Sequence, residues 1–117
     1  MNGGKCGYVV PVQMNKYKNT PTAVDGIIFQ SKKEAGRYSE LKMLQRSGII
    51  SNLRWQVPFE LRVNGVLVCT YRADFVYTGQ DGREVVEDVK SEATKTAVYR
   101  IKAKLLIACH GLRIVEV

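Results

Sequence analysis

The chain has one histidine, one tryptophan, three prolines and three cysteines among 117 residues. Cys6, Cys69 and Cys109 are odd in number, scattered, and in no Cys-x-x-Cys pair, which argues against a disulfide framework. With His110 as the sole imidazole, a structural zinc site is not expected either. Reduced, mostly buried thiols are the default. No run approaches the ~18 apolar residues of a membrane span, and the N-terminal stretch lacks a hydrophobic signal region. A soluble, cytoplasmic protein is therefore expected. No internal repeat and no low-complexity tract stands out.

What is present is a globular composition: 45% hydrophobic and 25% charged residues, enough for one folded domain with a real core. Acids are the scarcer charge, 11 against 18 lysines and arginines, for a net +7. Their placement says more than their number. Residues 30–54 and 90–117 each carry six basic and two acidic groups, whereas residues 55–89 carry six acids against three bases. An acidic centre between basic flanks suits an enzyme that holds a polyanion and cuts it at a metal. The alternative is a basic binding protein whose acids are ordinary surface residues.

Within that centre, Asp74 and Asp88-Val89-Lys90 flank the turn sequence Gly79-Gln-Asp-Gly-Arg83. Side chains alternate along a strand, so Asp88 and Lys90 share one face. A three-residue loop, Gln80-Asp81-Gly82, with Gly82 left-handed would pair Gly79 with Arg83 and set Asp74 opposite Asp88. A two-residue Asp81-Gly82 turn would shift the register by one and send the acids to opposite faces. Facing carboxylates repel unless something neutralises them, and a divalent cation does so. Mg²⁺ favours oxygen ligands and is usually held by one or two carboxylates. A nearby lysine can stabilise charge developing on phosphorus. The competing reading is a solvated hairpin face with cross-strand charge pairs.

Local signals predict the element order α-β-β-β-α-β, an α/β fold with a mixed sheet flanked by helices. Residues 1–20 read as a flexible basic arm with Lys16 and Lys18 able to touch phosphate, and residues 21–117 as the domain. Val24–Gln30 reads as a short extended segment with a turn at Asp25-Gly26. Ser31 as N-cap and Glu34 as its capping-box partner start a helix that runs to about Arg46 and stops at Ser47-Gly48. Its apolar stripe is Ala35, Tyr38, Leu41 and Leu44, with Lys33, Arg37 and Lys42 toward solvent. Glu34 lies within about 40° of Tyr38 and Leu41 around the helix, on the core side.

Strands are predicted at Trp55–Val63, where Pro58 argues for an edge or bulge, at Val66–Tyr77 after an Asn64-Gly65 turn, and at Glu84–Lys90. A second helix spans Thr96–Cys109 and ends at His110-Gly111, with Ile101, Leu105 and Ala108 toward the core. Lys95, Tyr99 and Lys102 form a basic face with an aromatic in it. A last strand, Leu112–Val117, reads as buried on both sides and parallel to the third strand across a right-handed crossover. Trp55 and Phe59 read as core, His110 as a helix-terminus residue, Glu87 as structural or surface, and Gln56 as a minor candidate for substrate contact.

This order, with acids on the second and third strands and Glu34 on the preceding helix, resembles the PD-(D/E)XK nuclease superfamily. That is the restriction-endonuclease-like fold, which includes archaeal Holliday junction resolvases. The matching pieces are Glu34, Asp74 in Tyr71-Arg-Ala-Asp-Phe75, and Asp88-Val-Lys90. Val24-Asp-Gly-Ile27, Phe29-Gln-Ser-Lys-Lys-Glu-Ala35, Arg37-Tyr38, Arg72-Ala-Asp-Phe75 and Glu87-Asp-Val-Lys90 further resemble a small phage-encoded family within it. Ala73 stands where the superfamily name has proline. The resemblance covers roughly residues 16–117.

The resemblance implies Asp74 and Asp88 as ligands of Mg²⁺ or Mn²⁺, with the Val89 carbonyl as a further ligand. It implies Lys90 as the residue that positions or polarises the attacking water, and Glu34 as the acid that completes the cluster. Lys16, Lys18, Lys32, Lys33, Arg37, Lys95, Tyr99 and Lys102 are the candidate DNA contacts. The expected activity is endonucleolytic hydrolysis of DNA, with branched, Holliday junction-like DNA in phage recombination or replication as substrate and a homodimer as the working form. A non-catalytic DNA-binding or packaging protein on the same fold, and a ribonuclease, are the rival readings.

Overall fold

A computed structural model describes residues 20–90 and 94–117. The arm expected over residues 1–20, with Lys16 and Lys18, therefore lies outside the described residues except for Thr20. The chain divides into two compact units, parting after Gly36.

In the first unit, β1 (Thr22–Val24) and β2 (Ile27–Phe29) pair antiparallel, with Val24 opposite Ile27. Asp25 and Gly26, at φ 53° and 75°, make the two-residue turn that such a short hairpin needs. The extended segment read from the sequence is thus a hairpin. The helix α1 (Lys32–Arg46) begins where expected. The Ser31 hydroxyl accepts the Glu34 N–H at 3.1 Å, as an N-cap does. Glu34 is 9% exposed, while Lys32 and Lys33 on the same turn are exposed.

The second unit holds the rest of α1 and a four-stranded sheet. That helix ends in a Schellman arrangement: Ile49 N–H reaches Leu44 C=O, Gly48 N–H reaches Gln45 C=O, and Gly48 sits at φ 82°. Gln45 then accepts the Leu53 N–H at 2.8 Å and ties the helix end to the start of the sheet. The strands are β3 (Ser51–Val63), β4 (Val66–Thr78), β5 (Glu84–Asp88) and β6 (Ile114–Glu116), in that order across the sheet. The first three are antiparallel, and β6 runs parallel to β5. Pro58 lies on an edge strand, as its missing N–H requires.

The fold class is α/β, and the expected order α-β-β-β-α-β is present, preceded by the small hairpin. Tyr38 and Leu41 of α1 are buried, and the Tyr38 ring meets Trp55 edge-on at 5.5 Å. Trp55 is only partly covered, at 37% exposure, rather than a full core residue. The second helix, α2 (Ala97–His110), is capped by Thr96 at its start and by left-handed Gly111 at its end.

Two expectations fail here. The buried residues of α2 are Tyr99 and Leu106, with Leu105 and Cys109 packed beside them; Ile101 is 59% exposed and Ala108 is exposed too. The Tyr99 hydroxyl finds a partner on β6, so the bulky ring rather than the aliphatic stripe turns inward. The other is β6, which was read as buried on both sides. It is a three-residue edge strand with Val115 46% exposed. Among the described residues no helix is long and apolar enough to cross a membrane.

Candidate active site

The loop between β4 and β5 decides whether the two aspartates meet. Gly79 N–H donates to Arg83 C=O at 2.9 Å, Gly82 N–H donates to Gly79 C=O, and Gly82 has φ 80°. This is the three-residue loop. The ladder that follows pairs Thr78 with Glu84 and ends at Phe75 opposite Glu87. One step further sets Asp74 opposite Asp88, as the strand count requires.

The other edge of β4 adds a feature the sequence did not reveal. Trp55 pairs with Phe75 and Val57 with Ala73, which leaves Gln56, at φ 53°, across from Asp74. Val57 and Ala73 pack in the α2-side core together with Tyr71 and Val76. Phe75 pairs with Glu87 on the face that meets α1. Both strands therefore change face at Gln56 and Asp74. Strict alternation puts Tyr71 on the opposite face from Asp74; this switch brings it to the same one.

Asp88 lies at the floor, 2% exposed. The Tyr71 hydroxyl donates to its Oδ2 at 2.7 Å, and Lys90 Nζ stands 3.4 Å from the same oxygen. Burial first, then the hydrogen bond and charge of Asp74, push the Asp88 carboxyl up to about 7, against the lowering pull of Tyr71 and Lys90. Burial and the Asp88 charge push the Tyr71 phenol up as well, so it is a donor at neutral pH.

The backbone past β5 is also arranged. Val117 donates its N–H to Asp88 C=O at 3.0 Å and accepts the Lys90 N–H at 3.2 Å. Along such a strand the bracketed residue, Val89, turns its own N–H and C=O the other way, toward β4. Its N–H donates to Asp74 Oδ2 at 2.8 Å, which fixes that carboxylate.

These groups floor a cleft of about 360 Å³. Its β4 wall carries Thr70 and Arg72, and its α2 wall carries Thr94, Thr96, Val98 and Lys102. Tyr99 lies beneath, with Lys90 Nζ 4.4 Å from its ring centre. The Tyr99 hydroxyl donates to Glu116 Oε2 at 2.7 Å, and Lys95 Nζ pairs with Glu116 Oε1 at 3.1 Å. Of the predicted site residues, Asp74, Asp88, Lys90, Tyr99 and Lys102 thus come together in one cleft. Lys95 stands nearby on Glu116, and Glu34, Lys32 and Lys33 belong to the other unit.

Arg37 departs from its expected place at solvent. Its guanidinium grips buried Glu87 through Nε at 2.8 Å and Nη2 at 2.6 Å, and reaches Glu40 at 3.1 Å. The Tyr77 hydroxyl closes on the same Glu87 carboxylate. Charge-assisted bonds to Glu87 raise the Arg37 guanidinium further. Glu87 is indeed on the face opposite Asp88, but it is buried rather than a surface acid.

As a donor set for a metal, the cleft offers the carboxylate oxygens of Asp74 and Asp88. Among the described residues no group of three or more His, Cys, Asp or Glu gathers as it would round a metal ion. Two facing acids, one buried and one half-buried, nonetheless fit a hard cation that keeps several of its own waters.

Sequence reasoning missed Tyr71, Arg72 and Glu116. Tyr71 has the wrong strand parity, and Glu116 sits on a parallel strand whose register no turn sets. No curated protein and no solved structure matches the chain. A family profile does match, over residues 14–111, and the chain belongs to the family described as Protein of unknown function (DUF1064).

Proposed function

We propose that this protein is a divalent-metal-dependent endonuclease that hydrolyses DNA phosphodiester bonds. The observation that carries the reading is the Asp74–Asp88 pair, with Asp88 buried and Lys90 Nζ beside it, at the floor of a cleft whose walls bear Arg72 and Lys102. Asp74, Asp88 and the Val89 carbonyl would hold Mg²⁺ or Mn²⁺, which when bound supplies an activated water and stabilises charge on phosphorus. Lys90 meets the phosphate oxygens and helps orient the attacking water. The Val89 N–H and the Tyr71 hydroxyl keep the two carboxylates aimed. The resemblance to PD-(D/E)XK nucleases supports branched DNA as substrate; a two-fold junction, which needs two cuts, calls for a homodimer as working form, and the cytoplasm is the proposed location.

The test is cleavage of labelled duplex, nicked, flap and four-way-junction DNA with Mg²⁺, Mn²⁺ or EDTA, by wild type and Asp74→Asn. Cutting that needs metal and vanishes in the variant is expected. Tight binding without cutting under every metal would make this a basic DNA-binding protein instead, and cutting confined to RNA would make it a ribonuclease.

Arg72 gives a separate expectation. Arg72→Gln should weaken DNA binding in EDTA alike for all sequences and lower the slope of log affinity against log salt by about 1. An unchanged slope in a salt titration by fluorescence anisotropy would remove Arg72 from the phosphate path.

A further inference from the structure

An acid beside a cleft that takes DNA weakens the attraction for phosphate, so Glu116, bonded to the cleft residue Tyr99, calls for a reason. Its place is set by the parallel ladder, which pairs it with Asp88 and so puts both side chains on the same sheet face. It does not join the aspartates. One carboxylate oxygen accepts the Tyr99 hydroxyl and the other pairs with Lys95. Those two partners, Tyr99 first, hold the Glu116 carboxyl below its usual range.

The other end of the Tyr99 side chain is engaged as well. The residue is 8% exposed, and the Lys90 ammonium rests 4.4 Å from its ring centre, a cation–π distance. Lysine has a long, flexible stem, and an ammonium with three rotatable donors does not choose one position unaided. The ring supplies a seat. It stays in place because the hydroxyl is tied to Glu116.

We propose that Glu116 is a positioning residue: by anchoring Tyr99 it holds the ring on which Lys90 rests, and so places the ammonium against Asp88. The catalytic consequence rests on the nuclease reading above; the placement of Lys90 does not.

The first readout is therefore spectroscopic and needs neither metal nor DNA. Protons of the Lys90 ε-methylene close to the face of Tyr99 are shifted upfield by its ring current. Their signal, assigned by its loss in Lys90→Arg, is followed by NMR in EDTA at fixed pH. The upfield shift is expected in wild type and in Glu116→Gln, whose amide oxygen still accepts the hydroxyl. It should collapse in Glu116→Ala and in Tyr99→Phe, which each cut the tie.

The second readout is turnover. Glu116→Ala should lose about tenfold in kcat, the scale seen when an outer group that orients a site residue is removed. KM for DNA should fall or stay level, because a negative charge near the cleft is removed. The double variant with Tyr99→Phe should be no worse than either single one, since both break the same link.

A Lys90 shift unchanged in folded Glu116→Ala overturns the proposal. Should that variant fail to fold, an unchanged shift in Tyr99→Phe does the same. If wild type cuts no DNA with any metal, the nuclease reading falls while the NMR result still decides the role of Glu116.

Discussion

Asp88→Asn is expected to stabilise the metal-free protein at pH 8 while abolishing cleavage. The Asp88 carboxyl is raised from an ordinary 3.8 to about 7 by burial and by Asp74. A group raised in this way favours the folded chain fully below about pH 3.8, and that contribution is lost as the pH climbs through about 7. A gap of roughly three units sets an upper bound of about 4 kcal/mol on the strain carried by the ionised form. Asparagine removes the ionisation and keeps an oxygen for the Tyr71 hydroxyl. Urea unfolding in EDTA should therefore show the variant more stable at pH 8, with the advantage fading by pH 5, where the wild-type carboxyl is protonated. Added Mg²⁺ should stabilise wild type at pH 8 and do little for the variant. Equal stability at pH 8 would mean that the facing acids do not strain one another.

Glu87→Gln should have the opposite effect. Glu87 is 1% exposed and its two oxygens take both arms of Arg37 as well as the Tyr77 hydroxyl. Glutamine offers one acceptor where three donors converge, and it leaves the guanidinium without its counter-charge. Breaking a buried pair on one side costs about 3–5 kcal/mol, and the partial exposure of Arg37 argues for the lower end. For a domain of this size that is a fall of roughly 12 °C in Tm. Replacing both partners together, as Arg37→Met with Glu87→Met, should recover most of the loss, since no uncompensated charge remains. A single-variant cost under about 1 kcal/mol by thermal denaturation would assign the pair a minor role in stability.

These expectations show which parts of the molecule local rules reach. The turns at Asn64-Gly65 and Gln80–Gly82, the Ser31 cap and the stop at Gly48 are set by residues within a few positions of each other, and all were readable. Because the second turn fixes the β4–β5 count, it also fixed the meeting of Asp74 and Asp88. Arg37 with Glu87, Tyr71 with Asp88 and Tyr99 with Glu116 are long-range pairs that no periodicity encodes. The rotation of α2 belongs with them. Its aliphatic stripe is the stronger helical signal, but a hydroxyl partner on a strand that follows it decides which side turns inward. Even the acid site depended on a break in alternation at Gln56 and Asp74 that a period of two cannot foresee.

The two acids at the end of β5 have a consequence for pairing fidelity. If β5 slid by one residue against β4, Glu87 would take the place of Asp88 and the floor of the cleft would still hold two carboxylates. The slip would go unnoticed by the acids. It would not go unnoticed by the amine: Val89 would occupy the position of Lys90, and the cleft would lose its ammonium. Val86 would then stand where Glu87 now takes the Arg37 guanidinium, and the buried ion pair would be lost. The sequence Glu-Asp-Val-Lys therefore acts as its own proofreader, with the lost Arg37–Glu87 pair and the missing ammonium rejecting the one misalignment that the aspartates would tolerate.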